Sequence, residues 1–198
     1  SFVGQLGVDI ASGRMIGLGA QLGVLPEAVA LAGCLSQPRD PFRIAHPLVH
    51  TKAEDFNDVT AAVLISRSKF DQGVYSEPIS LANLLFCFDG ARDQRLFASK
   101  HALAIARMRD LSRQVKHLRT RVEGVLKSEI KPLANPMRSS QIINRLRLLL
   151  TWTAQGNLVV ADGGKVPPAN TPLRVPLSGP PLESSTFLSQ LPECLRDK

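Results

Sequence analysis

The chain has 198 residues, 44% of them hydrophobic and 21% charged, which suffices for an ordinary domain with a real core and argues against wholesale disorder. Its 24 lysines and arginines against 17 acids give a net charge of +7, a balance that suits a polyanionic partner. Cys34, Cys87 and Cys194 are odd in number and far apart, which excludes a disulfide-stapled miniprotein, offers no zinc-cluster spacing and points to a reducing intracellular compartment.

The first element expected is a helix from Asp9 to Leu22, with Ile10, Met15, Ile16 and Leu18 apolar and Gly13, Gly17 and Gly19 suggesting close packing of a neighbour. Pro26 can occupy the first position of a second helix, with Glu27 at the positive end of its dipole. This helix runs to about Ser36 and is almost wholly apolar, so burial on most sides is expected. The apolar stretch from Met15 to Leu35 is interrupted by Pro26 and Glu27, and no run reaches the roughly 18 uncharged residues of a membrane helix. The reading is a soluble protein. No positively charged leader is present and the chain starts at Ser1, so a fragment or processed piece of a larger parent is expected.

Residues 37 to 50 read as a loop. Thr51 and Glu54 have capping-box spacing before a third helix with Phe56, Val59, Val63 and Leu64 as its apolar stripe. Ser76 and Pro78 open a fourth, in which Leu81, Leu84, Leu85 and Phe88 recur before an Asp89-Gly90 stop. The longest helix is expected from Ser99 to about Lys127, where Ala104, Met108, Leu111, Val115, Leu118, Val122 and Val125 form a seam of period near 3.5. Ser139 or Ser140 caps a last helix with Ile142, Ile143, Leu146, Leu149 and Leu150 inside. One short strand, Leu158 to Val160, and an Asp162-Gly163-Gly164 turn follow, and from Val166 to Pro192 seven prolines predict an extended, largely irregular segment. The fold class is therefore mainly α, a helical bundle with one short strand and a Pro-rich C-terminal segment.

Charge is uneven along this plan. Residues 1 to 98 carry a net −2, residues 99 to 147 a net +9, and residues 148 to 198 none. The excess falls on the long helix and the next, which is the pattern of a polyanion-facing element. Arg107 and Arg121 flank the apolar seam, Arg109, Arg113, Lys116 and Lys127 lie outside it, and Arg119 borders it, with Arg138, Arg145 and Arg147 further on. The bland alternative is a merely solvated face. With Trp152 and Tyr75 the single residues of their types, contacts to a nucleic-acid backbone are expected rather than base stacking.

Other chemistry finds little support. The sequence contains no Gly-rich Lys-Ser/Thr loop, DEAH box or arginine-finger motif. Leu158 to Lys165 leads a strand into Gly-Gly-Lys, but Val166 replaces the hydroxyl and Pro167-Pro168 forbid the cradling helix. His46 and His50 lack companion ligands and are read as loop histidines, and Cys34 and Ser36 lack a partnered base. No metal and no catalytic residue is assigned.

Several stretches, in order, resemble the helicase-associated region of DEAH-box RNA helicases. They are LGVDIASGRMI (6 to 16), LGAQLGVLPEAVALAGCLS (18 to 36) with Pro41-Phe42, SEPISLANLLFCF (76 to 88), FASKHALAIARMRDLSRQVKHL (97 to 118) and NRLRLLLTWTAQGNLVVAD (144 to 162). Departures include Gly7 and Ala11 where the family favours Pro, Val24 for Cys, and Glu77 and Pro78 for Asp and His. The resemblance implies a winged-helix edge over residues 1-22, a ratchet-like bundle over 23-162, and a tail over 163-198. In that tail RVPLSGP replaces the family's His-Pro-Ser-Ser motif, leaving at most a degenerate oligonucleotide-binding fold. It further implies RNA contacts through Arg107, Arg109, Arg113, Lys116, Arg119, Arg121, Arg145 and Arg147. Implied partners are RecA-like motor domains of the same parent, which use ATP and magnesium, and ribonucleoprotein components. The alternative reading is a non-catalytic helical scaffold in a ribonucleoprotein assembly.

Overall fold

A computed structural model describes residues 2–153 apart from residues 38, 47 and 51, within one compact unit spanning residues 1–156. The described residues form eight helices: α1 (Phe2–Leu6), α2 (Ile10–Gln21), α3 (Leu25–Leu35), α4 (Ala53–Asp71), α5 (Glu77–Asp89), α6 (Gln94–Lys100), α7 (Ile105–Leu126) and α8 (Ser140–Thr153). The mainly α fold is as expected. The strand at Leu158–Val160, its turn and the proline-rich segment lie outside the described residues. None of the described helices is long and apolar enough to cross a membrane.

Asp9 caps α2, its carboxylate accepting the Ser12 N–H at 2.9 Å and the Ser12 hydroxyl at 2.6 Å. These hydrogen bonds favour the charged form and hold the Asp9 carboxyl below its usual pKa. Helix α3 starts where Pro26 fits the first turn, and every residue from Glu27 to Cys34 is buried. It packs on α2, α5, α7 and α8. Small residues make the approach possible. A Cβ at Gly19 of α2 would sit 2.2 Å from the Ala28 Cβ, and one at Gly33 would sit 2.4 Å from a Val115 methyl of α7. Glu27 is buried beside Arg138, 3.7 Å away. On α7 the expected seam is buried through Met108, Leu111, Val115, Leu118 and Val122. At about 1.5–3 kcal/mol for each fully buried apolar side chain, that seam outweighs any preference of the polar face.

Two helix starts and one apolar stripe differ from expectation. Helix α4 starts at Ala53, with Lys52 in the capping position and no side-chain cap, and Thr51 of the expected capping box lies outside the described residues. Of its expected stripe, Leu64 is exposed and Phe56, Val59 and Val63 are half-buried, while Ser66 and Phe70 are the buried residues of α4. The long helix does not begin at Ser99. Residues 101–104 separate a seven-residue α6 from α7, with Ala102 left-handed at φ 50°. This segment pairs instead with the loop after α3. The Ala104 N–H donates to the Pro41 carbonyl at 2.9 Å, the Arg43 N–H donates to the Ala102 carbonyl at 2.8 Å, and Phe42 and Leu103 face each other in an antiparallel bridge. Both side chains are almost fully buried. His-Ala-Leu-Ala prefers a helix by only tenths of a kcal/mol per residue, and two buried side chains with two hydrogen bonds exceed that.

At the same break His101 is buried against Phe97 and Phe70, with ring centroids 4.6 and 5.1 Å away. Burial, with smaller contributions from Lys69 and Lys100, lowers its pKa below the ordinary value. The native state therefore resists a proton that the unfolded chain accepts. This contribution is intact above about pH 6.5 and declines as pH falls from there toward the lowered native pKa. Urea titrations at pH 7.5 and 5.5 should show less acid destabilisation in His101→Gln than in the parent, and equal losses would refute the assignment.

Gly124 and Gly33, both within helices, give opposite expectations. At Gly124 an added Cβ would have no neighbour within 4 Å, so Gly124→Ala should stabilise by about 0.5–1 kcal/mol. Gly33→Ala should destabilise by about 1–3 kcal/mol through overpacking against Val115. Chemical denaturation of both variants checks the signs.

Candidate nucleic-acid interface

The eight arginines and lysines expected to contact RNA separate into two groups by what their head groups touch. Arg107 donates to the Asp40 and Phe42 carbonyls at 3.0 and 3.3 Å, tying α7 to the loop after α3 that pairs with residues 101–104. Arg119 pairs with Glu123 at 2.9 Å and donates to the Ile130 carbonyl. Glu123 also accepts the Ile130 N–H at 3.1 Å, and this bond, with Arg119, lowers the Glu123 pKa. Arg145 donates to the Leu22 carbonyl at 3.1 Å and Arg147 to the Val74 carbonyl at 3.0 Å. Arg121 reaches the Gly7 carbonyl at 3.4 Å, a long bond from an exposed side chain. Four of these five hold chain segments together, a use that the charge pattern did not reveal.

Arg109, Arg113 and Lys116 form the second group, exposed on one stripe of α7 by their spacing of four and three. Arg113 has an exposed partner, Asp110, at 3.4 Å. Lys116 contacts Asp89 at 3.2 Å and the Ser112 hydroxyl at 2.9 Å. Exposed pairs of this kind contribute little and exchange readily. Arg109 has no ion-pair or hydrogen-bond partner among the described residues.

Two open clefts lie along this stripe. One, of about 480 Å³, is lined by Arg109, Arg113, Lys116, His117, Thr120 and Gln94 with Phe88 and Ser112. The other, of about 880 Å³, lies between α6 and α7 and is lined by Arg92, Arg95, Lys100 and Arg109 around Ala91, Leu96 and Phe97. Gln94 and Arg109 border both clefts. Asp93 is the acid in the lining of the larger cleft, and its carboxylate caps α6 by accepting the Arg95 and Leu96 N–H groups at 2.8 and 3.0 Å. Arg92, Arg95 and Lys100 were not among the expected contacts. Their clue was Asp93, an N-cap residue that opens a separate short helix and puts a second basic element beside α7.

The remaining candidates carry no such geometry. Cys34 is buried and desolvation pushes its thiol up to about 12, and burial also raises Cys87. His46 and His50 lie in an exposed turn in which the His46 N–H donates to His50 Nδ1 at 3.1 Å. The Leu158 to Lys165 imitation of a phosphate loop lies outside the described residues.

Residues 9–112 match the family model of the helicase-associated domain (HA2), ratchet-like. The match covers more than half of the chain, from the α2 cap into α7, and the chain belongs to that family, found in the C-terminal region of DEAH/DExH helicases. No curated protein matches this chain, and no solved structure does.

The separation of the basic residues has a direct consequence. Arg107→Gln should lower stability by about 1–3 kcal/mol, because two carbonyl bonds from a half-buried guanidinium are lost, whereas Arg109→Gln should stay within about 0.5 kcal/mol. Equal midpoints for the two variants in denaturant would contradict the geometry.

Proposed function

We propose that this helicase-associated domain is the RNA-gripping accessory region of an ATP-dependent DEAH/DExH-type RNA helicase acting on RNA or ribonucleoprotein. The observation that carries the reading is the exposed Arg109, Arg113 and Lys116 stripe bordering two basic clefts that share Gln94 and Arg109, with acids that are exposed or already engaged. Cations in this arrangement neutralise successive phosphates without reading sequence. ATP and magnesium would be handled by RecA-like motor domains of the parent, since this chain has none of the nucleotide-binding motifs. The domain would contribute grip, and the motor would contribute movement.

A second reading, a non-catalytic scaffold in a ribonucleoprotein assembly, draws on Leu64 and Ile65, which are exposed on α4 and suit a protein contact. Replacing Arg109, Arg113 and Lys116 together by Gln separates the two. Filter binding of unrelated single-stranded RNA oligonucleotides at several salt concentrations should show weaker binding to all of them. The log-log salt slope should flatten by about 2, at roughly 0.7 per phosphate contact for single strands. Thermal stability should be nearly unchanged. An unchanged slope would favour the scaffold.

A further inference from the structure

The α6–α7 cleft has a composition that phosphate contacts alone do not explain. Arg92, Arg95, Lys100 and Arg109 surround it, yet its lining includes Leu96, 67% exposed, the half-buried Phe97 and Ala91. Phosphate gains nothing from an exposed leucine. Phe97 is fixed from behind by Phe88 and His101, with centroids 6.0 and 4.6 Å away, so the apolar floor is rigid. Arg92, Arg95 and Lys100 have no ion-pair partners among the described residues, and Asp93 is occupied by the α6 cap.

We propose that this cleft seats one nucleotide of a single-stranded RNA, its base against Leu96 and Phe97 and its phosphates on Arg92, Arg95 and Lys100. Arg109 and Gln94, which border both clefts, lead the strand on to Arg113 and Lys116. The proposal rests on the RNA-gripping reading above and adds to it a place where a base, as well as a backbone, is held. Arginine planes and apolar side chains accept any base face, so the site holds bases without selecting among them. An acidic amphipathic peptide would also satisfy the charges. Such a helix, however, needs several apolar anchors three and four residues apart, and Leu96 is the large, strongly exposed apolar side chain of this cleft. The cationic lining continues past it along α7, as a polyanion's path requires.

The test uses the full 198-residue chain and fluorescence anisotropy with three probes. These are a uridine 12-mer RNA, the same length of abasic ribose-phosphate, and poly-glutamate. Arg92→Gln, Arg95→Gln and Lys100→Gln combined should weaken the uridine RNA about tenfold or more at low salt and flatten its salt slope by about 2. Leu96→Ala, at an exposed position, should weaken the uridine RNA about fivefold and leave the abasic strand within twofold, because only a seated base touches that side chain. If the Arg92, Arg95 and Lys100 triple variant leaves RNA affinity within twofold while the α7 triple variant weakens it, the nucleotide seat is overturned and the RNA-gripping reading stands. If neither triple variant weakens RNA, both fall. Equal effects of Leu96→Ala on the uridine and abasic strands overturn the base contact. Loss of poly-glutamate binding with RNA binding intact overturns the proposal in favour of an acidic protein partner.

Discussion

Close packing around α3 is the constraint from which the rest of the structure follows. A helix with no exposed polar face is stable only if neighbours cover it on several sides, and here α2, α5, α7 and α8 do so. Ala28 and Gly33 let the backbones approach, and Gly19 on α2 removes a Cβ that would collide with Ala28. Once Val115 is seated on Gly33, the rotation of α7 about its axis is set. Its seam turns inward and Arg109, Arg113 and Lys116 are left facing water. The placement of the basic stripe is thus a consequence of core packing at the opposite side of the helix.

The arginines of this bundle fall into two sets, those tied to backbone carbonyls and those left exposed, and sequence position does not distinguish them. Connections between helices expose backbone carbonyls that regular structure leaves without partners, and a guanidinium with five donors on a long stem satisfies them from a distance. Arg107 acts in this way on the Asp40 carbonyl, Arg145 on that of Leu22 and Arg147 on that of Val74, all far away in sequence. Arg67 does related work on the acidic side, pairing with Asp40 and Glu77 while its guanidinium lies 4.7 Å from the centre of the Phe42 ring. Part of the net positive charge is therefore structural. The part whose head groups remain exposed is smaller and more localised, and it includes Arg95 and Lys100 of α6.

The interruption of the long helix creates the candidate interface. Had α7 continued back to Ser99, no re-entrant corner would separate α6 from it, and Arg92, Arg95 and Lys100 would not border a common cleft with Arg109. The break depends on Phe42 and Leu103, distant in sequence, meeting in the core beneath a guanidinium from α7. A surface feature is in this way set by a buried long-range pair. The ratchet-like helicase-associated family match ends at residue 112, so Arg109 lies within the matched region and Arg113 and Lys116 lie beyond it.

Periodicity and capping chemistry in the sequence were enough to determine the mainly α class, the buried α3 between its prolines, the α5 stripe and the inward seam of α7. Each of these rests on contacts within a few turns of one helix, where a residue's neighbours are its neighbours in sequence. The order of weak motifs carried the family resemblance. The 101–104 break, the start of α4 at Ala53, the tying of Arg107, Arg119, Arg145 and Arg147 to carbonyls, and the meeting of two basic clefts at Gln94 and Arg109 were decided by tertiary structure alone. Local preferences differ by tenths of a kcal/mol per residue, while burying a phenylalanine or leucine from a distant loop contributes several times more. The long-range contact therefore prevails wherever the two disagree.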